Sequence, residues 1–252
     1  MVNKRPLALV DLDDTLFQTA RKMPEGSVRY PASYDTHGAV SGYMSNVQNS
    51  FVQWLLATTD VVPVTARSAE AFRRVRLGFS QGAVCSHGAV ILDPDGAVNA
   101  DWQALMGERL SAFQQRLPAL CASALQVGDA LSISLRGWVV EEAGQQHYVV
   151  IKHNSGTDAD LPRVAEHLRQ RGLIDGMHVH LNGNNLALLP DGLGKRVAVE
   201  HLLARDRALH GERPVLGFGD SITDLGFMDL CSYWATPARS QLANLVEGAV
   251  HG

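Results

Sequence analysis

The sequence predicts an α/β protein: a parallel sheet flanked by helices, interrupted by a smaller inserted α+β segment. Three observations carry this. Short apolar runs at residues 7–10, 61–64, 83–86 and 215–219 lack alternation, as strands buried on both faces do. Segments with helical apolar spacing separate the first three, the pattern of βαβ units. From residue 89 to 189 the pattern changes to successive short strands joined by turns, with helices to one side.

Composition narrows the class further. A chain of 252 residues builds one large domain or two modest ones, and its apolar fraction of 46% suits a globular protein with a full core. A formal net charge of -4, with no basic arm, argues against a nucleic-acid partner. A run of only four apolar residues leads into the first acids, too short for a signal peptide or a membrane span, so no membrane partner is expected. Cys85, Cys121 and Cys231 are widely spaced and odd in number, which fits free thiols in the cytoplasm. Oligomeric state leaves no signal in the sequence.

Taken in order, residues 7–10 are the first strand. Residues 18–45, rich in Gly, Pro, Ser and Tyr and without periodicity, read as a long loop, either a binding lid or a solvated flap. Val47, Phe51, Trp54 and Leu55 mark a helix over 47–57, and 61–64 is the second strand. Residues 68–77 read as a helix with an apolar stripe of Ala71, Phe72 and Val75, stopped near Gly78. Residues 83–86 are the third strand, followed by a turn at His87-Gly88 and a hairpin. Apolar residues from Trp102 to Leu120 predict one long amphipathic helix. Strands follow at 131–135, 138–140 and 148–151, a helix at 161–168, and strands at 178–181 and 186–189. Residues 195–204 form a helix, 215–219 the fourth core strand, 222–230 a short helix, 233–235 an edge strand and 240–246 a last helix.

The chemistry is concentrated at strand ends. The first strand stops at Asp11-Leu-Asp13-Asp14-Thr15, three carboxylates within four positions. Like charges this close repel, so the cluster calls for water or a cation; a solvated acidic turn is the plainer alternative. If the strand geometry persists, Asp11 and Asp13 point to one side. The fourth core strand ends likewise at Gly219-Asp220, with Asp224 four positions on; Thr65 ends the second strand and Lys195 opens a helix. In open α/β sheets ligands bind outside the carboxyl ends of the strands, so Asp11, Asp13, Thr65 and Asp220 converge on one site. Carboxylate oxygens there suit Mg²⁺.

The ordered set Asp-x-Asp, Thr65, Lys195 and Gly219-Asp220-x-x-x-Asp224 spans nearly the whole chain and resembles the haloacid-dehalogenase (HAD) superfamily phosphatases. More narrowly it resembles the capped class, Cof-like and sucrose-phosphate-phosphatase-like, whose α+β cap follows the third core strand. The resemblance implies a Rossmann-like core at 1–88 and 190–252 and a cap at 89–189. It implies Asp11 as nucleophile, forming an aspartyl-phosphate, and Asp13 as general acid and then base. Thr65 and Lys195 would bind the phosphoryl oxygens. Asp11, Asp13 through its carbonyl, Asp220 and Asp224 would hold Mg²⁺, Asp224 directly or through water. The substrate would be a small phosphorylated metabolite, a sugar phosphate or a relative. Arg67 beside the motif threonine, with Arg136, Lys152 and Asn185 in the cap, are candidates for contacting it; exposed polar surface is the alternative for each cap residue.

Three departures stand out from the family pattern: Ala66 and Arg196 replace usual glycines, and His87 replaces a usual asparagine. Asp14 holds a position where this class more often has glycine. Two other functions stay open on the sequence. One is a phosphomutase of the phosphomannomutase type, which shares core and cap. The other is a non-catalytic phospholigand-binding protein that has kept the fold.

Overall fold

The computed structural model describes residues 4–157 and 159–251. By backbone proximity the chain forms two compact units, one of residues 1–99 with 195–252 and one of 100–194.

In the first unit, β1 (Leu7–Val10) leads through β2 (Tyr30–Tyr34) and β3 (Val40–Met44) to α1 (Asn46–Thr58) and β4 (Asp60–Pro63). Then come α2 (Ala69–Phe72), β5 (Ala83–Cys85) and β6 (Val90–Leu92). The main sheet has four parallel strands in the order β12-β11-β1-β4, where β11 is Val215–Phe218 and β12 is Tyr233–Ala235. Every residue of β1 is buried, as its unbroken apolar run requires at the centre of a parallel sheet. Val10 stands opposite Pro63 on one side and Phe218 on the other, so the strands end level. Ala8, Val10, Val52, Leu55 and Val61 join Leu12, Leu16 and Phe17 in one core.

Two expectations for this unit are corrected. Residues 18–45 are no simple loop: β2 and β3 pair as an antiparallel hairpin, with a short 3₁₀ turn at Ala20–Lys22 before it. The expected 68–77 helix stops at Phe72, because the hairpin captures residues 74–76. Arg76 N–H donates to Ala32 O at 2.8 Å, Tyr34 N–H donates to Arg74 O at 3.1 Å, and Val75 bridges Ser33. Backbone pairing across the fold outweighs local helical spacing there. The first unit runs to Asn99, and within it β6 pairs antiparallel with β5 (Ala83 opposite Leu92).

The second unit contains α3 (Ala100–Arg109), α4 (Arg116–Ala130), β7 (Leu135–Glu142), β8 (Gln145–His153), α5 (Asp160–Gln170), β9 (Met177–Leu181) and β10 (Leu186–Pro190). Its antiparallel sheet runs β7-β8-β10-β9. Val149, Ile151, Leu186 and Leu188 on one face pack with Leu117, Leu120, Ala124, Val127, Val164 and Leu168 of the helices. The expected single helix from Trp102 to Leu120 is two helices, broken where Leu110 leaves helical geometry (φ -94, ψ 2) and is itself fully buried. Pro118 then falls in the first turn of α4, where its missing N–H costs nothing. The expected strand at 131–135 is the end of α4, a turn and the start of β7.

The chain re-enters the first unit at α6 (Lys195–His210), followed by β11, a 3₁₀ turn at Ile222–Asp224, α7 (Leu225–Met228), β12 and α8 (Gln241–His251). No described helix is long and apolar enough to cross a membrane.

Candidate active site

The ladder of β1 runs one residue past the strand: Asp11 N–H donates to Phe218 O at 2.8 Å. Asp11 is thereby fixed at the carboxyl edge of the sheet, between two neighbours that end level with it. The chain then turns back on itself, with Leu16 N–H on Leu12 O at 2.9 Å and Asp14 N–H on Phe17 O at 2.8 Å. Leu12, Leu16 and Phe17 are buried and anchor this turn, while Asp13 faces out. Asp14 takes φ 65, the left-handed region that glycine enters freely. That accounts for the more usual glycine of the resembling class at this position.

Lys195, the first residue of α6, brings its ammonium to Asp11 Oδ1 at 2.6 Å and to Asp224 Oδ1 at 2.7 Å. Asp224 is held from its other oxygen by Ser221, whose hydroxyl and N–H donate at 2.7 and 3.0 Å. Thr15 donates to Asp11 Oδ2 at 3.1 Å and reaches Asp220 Oδ1 at 3.5 Å. Gly219 lets this turn close: a Cβ there would lie 2.5 Å from that of Asp224 and 2.7 Å from the Met228 sulfur. One oxygen each from Asp11, Asp220 and Asp224 lie within 4.8 Å of one another.

Charge in this cluster does not balance by itself. Asp13 is matched by Arg67 and Asp14 by Lys22, whereas Asp11, Asp220 and Asp224 share the single ammonium of Lys195. When all three carboxylates are ionised, they leave a surplus of two negative charges over the one ammonium. Burial, opposed by Lys195 and reinforced by Asp224 and Asp13, pushes Asp11 up to about 8. Burial, with Asp224 and Asp14 added, pushes Asp220 up to about 6. For Asp224 burial acts upward too, but the Lys195 charge and the Ser221 hydrogen bonds hold it below the usual carboxylate range. Burial works against the Lys195 charge, yet Asp11 and Asp224 hold its pKa above that of an ordinary lysine. An all-oxygen donor set short of two positive charges fits a hard divalent cation.

Thr65 follows β4 and is buried; its N–H donates to Val84 O at 2.8 Å. Its hydroxyl oxygen accepts Arg67 N–H at 3.1 Å, so the hydroxyl hydrogen can be given elsewhere. Ser86 and His87 brace this loop from behind, donating their N–H groups to Arg67 O at 2.7 Å and Thr65 O at 3.1 Å. His87 does so at φ 56, left-handed backbone that asparagine enters more readily than most residues.

The structure thus gathers Asp11, Asp220, Asp224 and Lys195, and places Asp13 and Thr65 at the same sheet edge. Arg67, expected to face a substrate, has its fork on Asp13, with Nε to Oδ2 at 2.7 Å and Nη2 to Oδ1 at 2.8 Å. Arg136, Lys152 and Asn185 belong to the second unit; Arg136 and Lys152 stand opposite each other on β7 and β8. Sequence reasoning passed over Thr15, Ser221 and Ser33. Thr15 had a signal, a hydroxyl four residues after Asp11; Ser33, in a stretch without periodicity, had none.

No family model matches the sequence, and no curated protein matches it. Solved structures do match in fold. The C-terminal domain of the Candida albicans trehalose-6-phosphate phosphatase superposes with a TM-score of 0.59 at 13% identity, over 89% of this chain and 73% of that one. The sucrose-phosphatase of Synechocystis, solved with sucrose and phosphate, gives 0.55 at 15% identity over 98% of both chains. A haloacid dehalogenase-like hydrolase from B. subtilis gives 0.54 at 12% identity, over 94% of this chain and 90% of that one. The chain therefore has the haloacid-dehalogenase-like fold.

Proposed function

We propose that the protein is a Mg²⁺-dependent phosphatase that hydrolyses a small phosphorylated metabolite, of the sugar-phosphate kind, through an aspartyl-phosphate on Asp11. The observation that carries this is the Asp11–Lys195–Asp224 arrangement with Asp220 beside it. It is a buried carboxylate at a sheet edge, held by an ammonium, in an oxygen cluster lacking two positive charges. The fold shared with phosphatases of trehalose 6-phosphate and of sucrose phosphate supports the choice of substrate class.

Asp11, Asp220 and Asp224 would hold the cation, with the Asp13 carbonyl completing the set. Bound there, Mg²⁺ supplies charge that keeps Asp11 ionised and draws off negative charge from the phosphoryl oxygens. In the first step an Asp11 oxygen attacks phosphorus as the ester P–O bond breaks. Asp13, carrying its proton on an oxygen lone pair outside the Arg67 fork, gives it to the departing oxygen, and the alcohol leaves. Thr65 donates its hydroxyl hydrogen to a phosphoryl oxygen, and Lys195 offers its ammonium as a point charge. In the second step Asp13, now a carboxylate, takes a proton from water as the water oxygen attacks phosphorus. The acyl phosphate P–O bond breaks, Asp11 is restored and inorganic phosphate departs.

A cytoplasmic setting is part of this reading, supported by the absence of any disulfide among the described residues. The test is phosphate release from a panel of phosphorylated metabolites. Wild type with Mg²⁺ is expected to release phosphate, EDTA to stop it, and Mg²⁺ to restore it. Asp11→Asn, nearly isosteric, is expected to fold normally and release none; substantial turnover by that variant would remove Asp11 from the nucleophile's role.

A further inference from the structure

Asp13 stands apart from the carboxylates that Lys195 holds. Its side chain is about half exposed, and it pairs instead with Arg67. An exposed aspartate ordinarily samples several rotamers. Here both oxygens are engaged by one planar guanidinium, at 2.7 and 2.8 Å, which fixes the direction of the carboxylate as well as its position.

Arg67 is itself held. Its Cζ lies 5.0 Å from the centre of the Phe17 ring, a cation–π distance, and Phe17 is fully buried. Nη2 also reaches Ser33 Oγ at 3.5 Å, and Ser33 is fully buried in β2 with its hydroxyl 3.1 Å from that of Ser41. Gly42 in β3 leaves room for this: a Cβ there would lie 2.4 Å from Ser33 Oγ and 2.9 Å from the Phe17 ring. Behind, the Arg67 N–H caps on Thr65 and its carbonyl is taken by Ser86. Backbone, ring face and serine hydroxyl therefore each constrain one arginine, and that arginine constrains Asp13.

We propose that Arg67, clamped by Phe17 and Ser33, is a positioning residue that aims Asp13 at the leaving-group oxygen, so that the β2–β3 hairpin sets the geometry of proton transfer. The proposal deepens the phosphatase reading and rests on it. Arg67 touches neither phosphorus nor the departing oxygen; it acts through Asp13. A lysine could supply the charge but not the two parallel N–H donors.

The readout is dependence on the leaving group. 4-Nitrophenyl phosphate departs as a stable phenolate and needs no proton, phenyl phosphate needs one more, and glucose 6-phosphate, leaving as an alkoxide, needs one most. With Mg²⁺ present, Arg67→Met should lower kcat on glucose 6-phosphate by about 100-fold, within the range that general acid catalysis supplies. First-turnover release of 4-nitrophenol should change little. A burst of nitrophenol followed by slow turnover is expected, because Asp13 is still needed as base. Arg67→Lys should fall between, and Ser33→Ala, which leaves charge and fork intact, should shift discrimination the same way by a smaller factor.

Equal losses of the first-turnover rate on all three esters, or no loss, would overturn the positioning role. Loss of fold in Arg67→Met, read by circular dichroism, leaves Arg67→Lys and Ser33→Ala to decide by the same ratio. Failure of the underlying phosphatase reading is distinct: wild type and Asp11→Asn would then behave alike on every ester, and the proposal would fall with it.

Discussion

Asp14 carries a backbone cost that its side chain does not obviously recover. At φ 65 an L-residue is strained by roughly 1 kcal/mol. The Lys22 pair that Asp14 makes is partly exposed and contributes about 0.2–1 kcal/mol. Asp14→Gly should therefore leave the protein as stable or slightly more so in thermal melts, and should lower the pKa of Asp220 by removing a neighbouring negative charge. The cluster also makes a pH prediction for the metal-free protein. Folded Asp11 keeps its proton up to about 8 and Asp220 up to about 6, against 3.8 for an unstructured carboxylate. Between those limits the folded state binds more protons than the unfolded one, so stability falls as pH rises from about 4 to about 8. Melting in EDTA should give a lower Tm at pH 8 than at pH 5, and saturating Mg²⁺ should recover more at pH 8. At this scale the sequence was most legible where spacing along the chain is itself the signal. Asp11, Asp220 and Asp224 sit at strand ends, and Lys195 opens a helix. The Arg67–Asp13 pair was not legible, because the partners lie 54 residues apart and nothing local announces the pairing.

Among elements, the strands of the main sheet were the easiest to read, since continuous apolar runs have few other uses. The β2–β3 hairpin was not legible: Pro31, Gly38 and Gly42 interrupt any alternation, and the register shifts twice along it. Its effect reaches residues 74–76, which it draws away from helix. The break between α3 and α4 was hidden for a different reason, because Leu110 keeps the apolar spacing while leaving helical geometry. The second sheet carries a testable tension. Arg136 and Lys152 are directly opposite on adjacent strands, and burial together with the Arg136 charge lowers the Lys152 pKa. Like charges so placed destabilise a sheet, so Lys152→Thr should stabilise the protein by roughly 0.2–1 kcal/mol in denaturant titration.

The two units have separate cores, and every candidate cation ligand lies in the first. Unfolding followed by calorimetry should resolve two transitions, with Mg²⁺ raising the temperature of one and leaving the other in place. The change of pattern between the parallel core and the strand-rich insert made this division visible in the sequence. Its edges were less visible, because β6 reads as the start of something new yet pairs backward with β5. The insert has one more consequence, for synthesis. Asp11 emerges from the ribosome 184 residues before Lys195, and β1 waits longer still, 208 residues from Leu7 to Val215, for its neighbour β11. A nascent chain translated as far as Gly194 has finished the whole second unit while Asp11 still lacks its ammonium and β1 is paired on one side only. Vectorial synthesis thus delivers the insert complete first, and the counter-charge of Asp11 arrives with the very next residue.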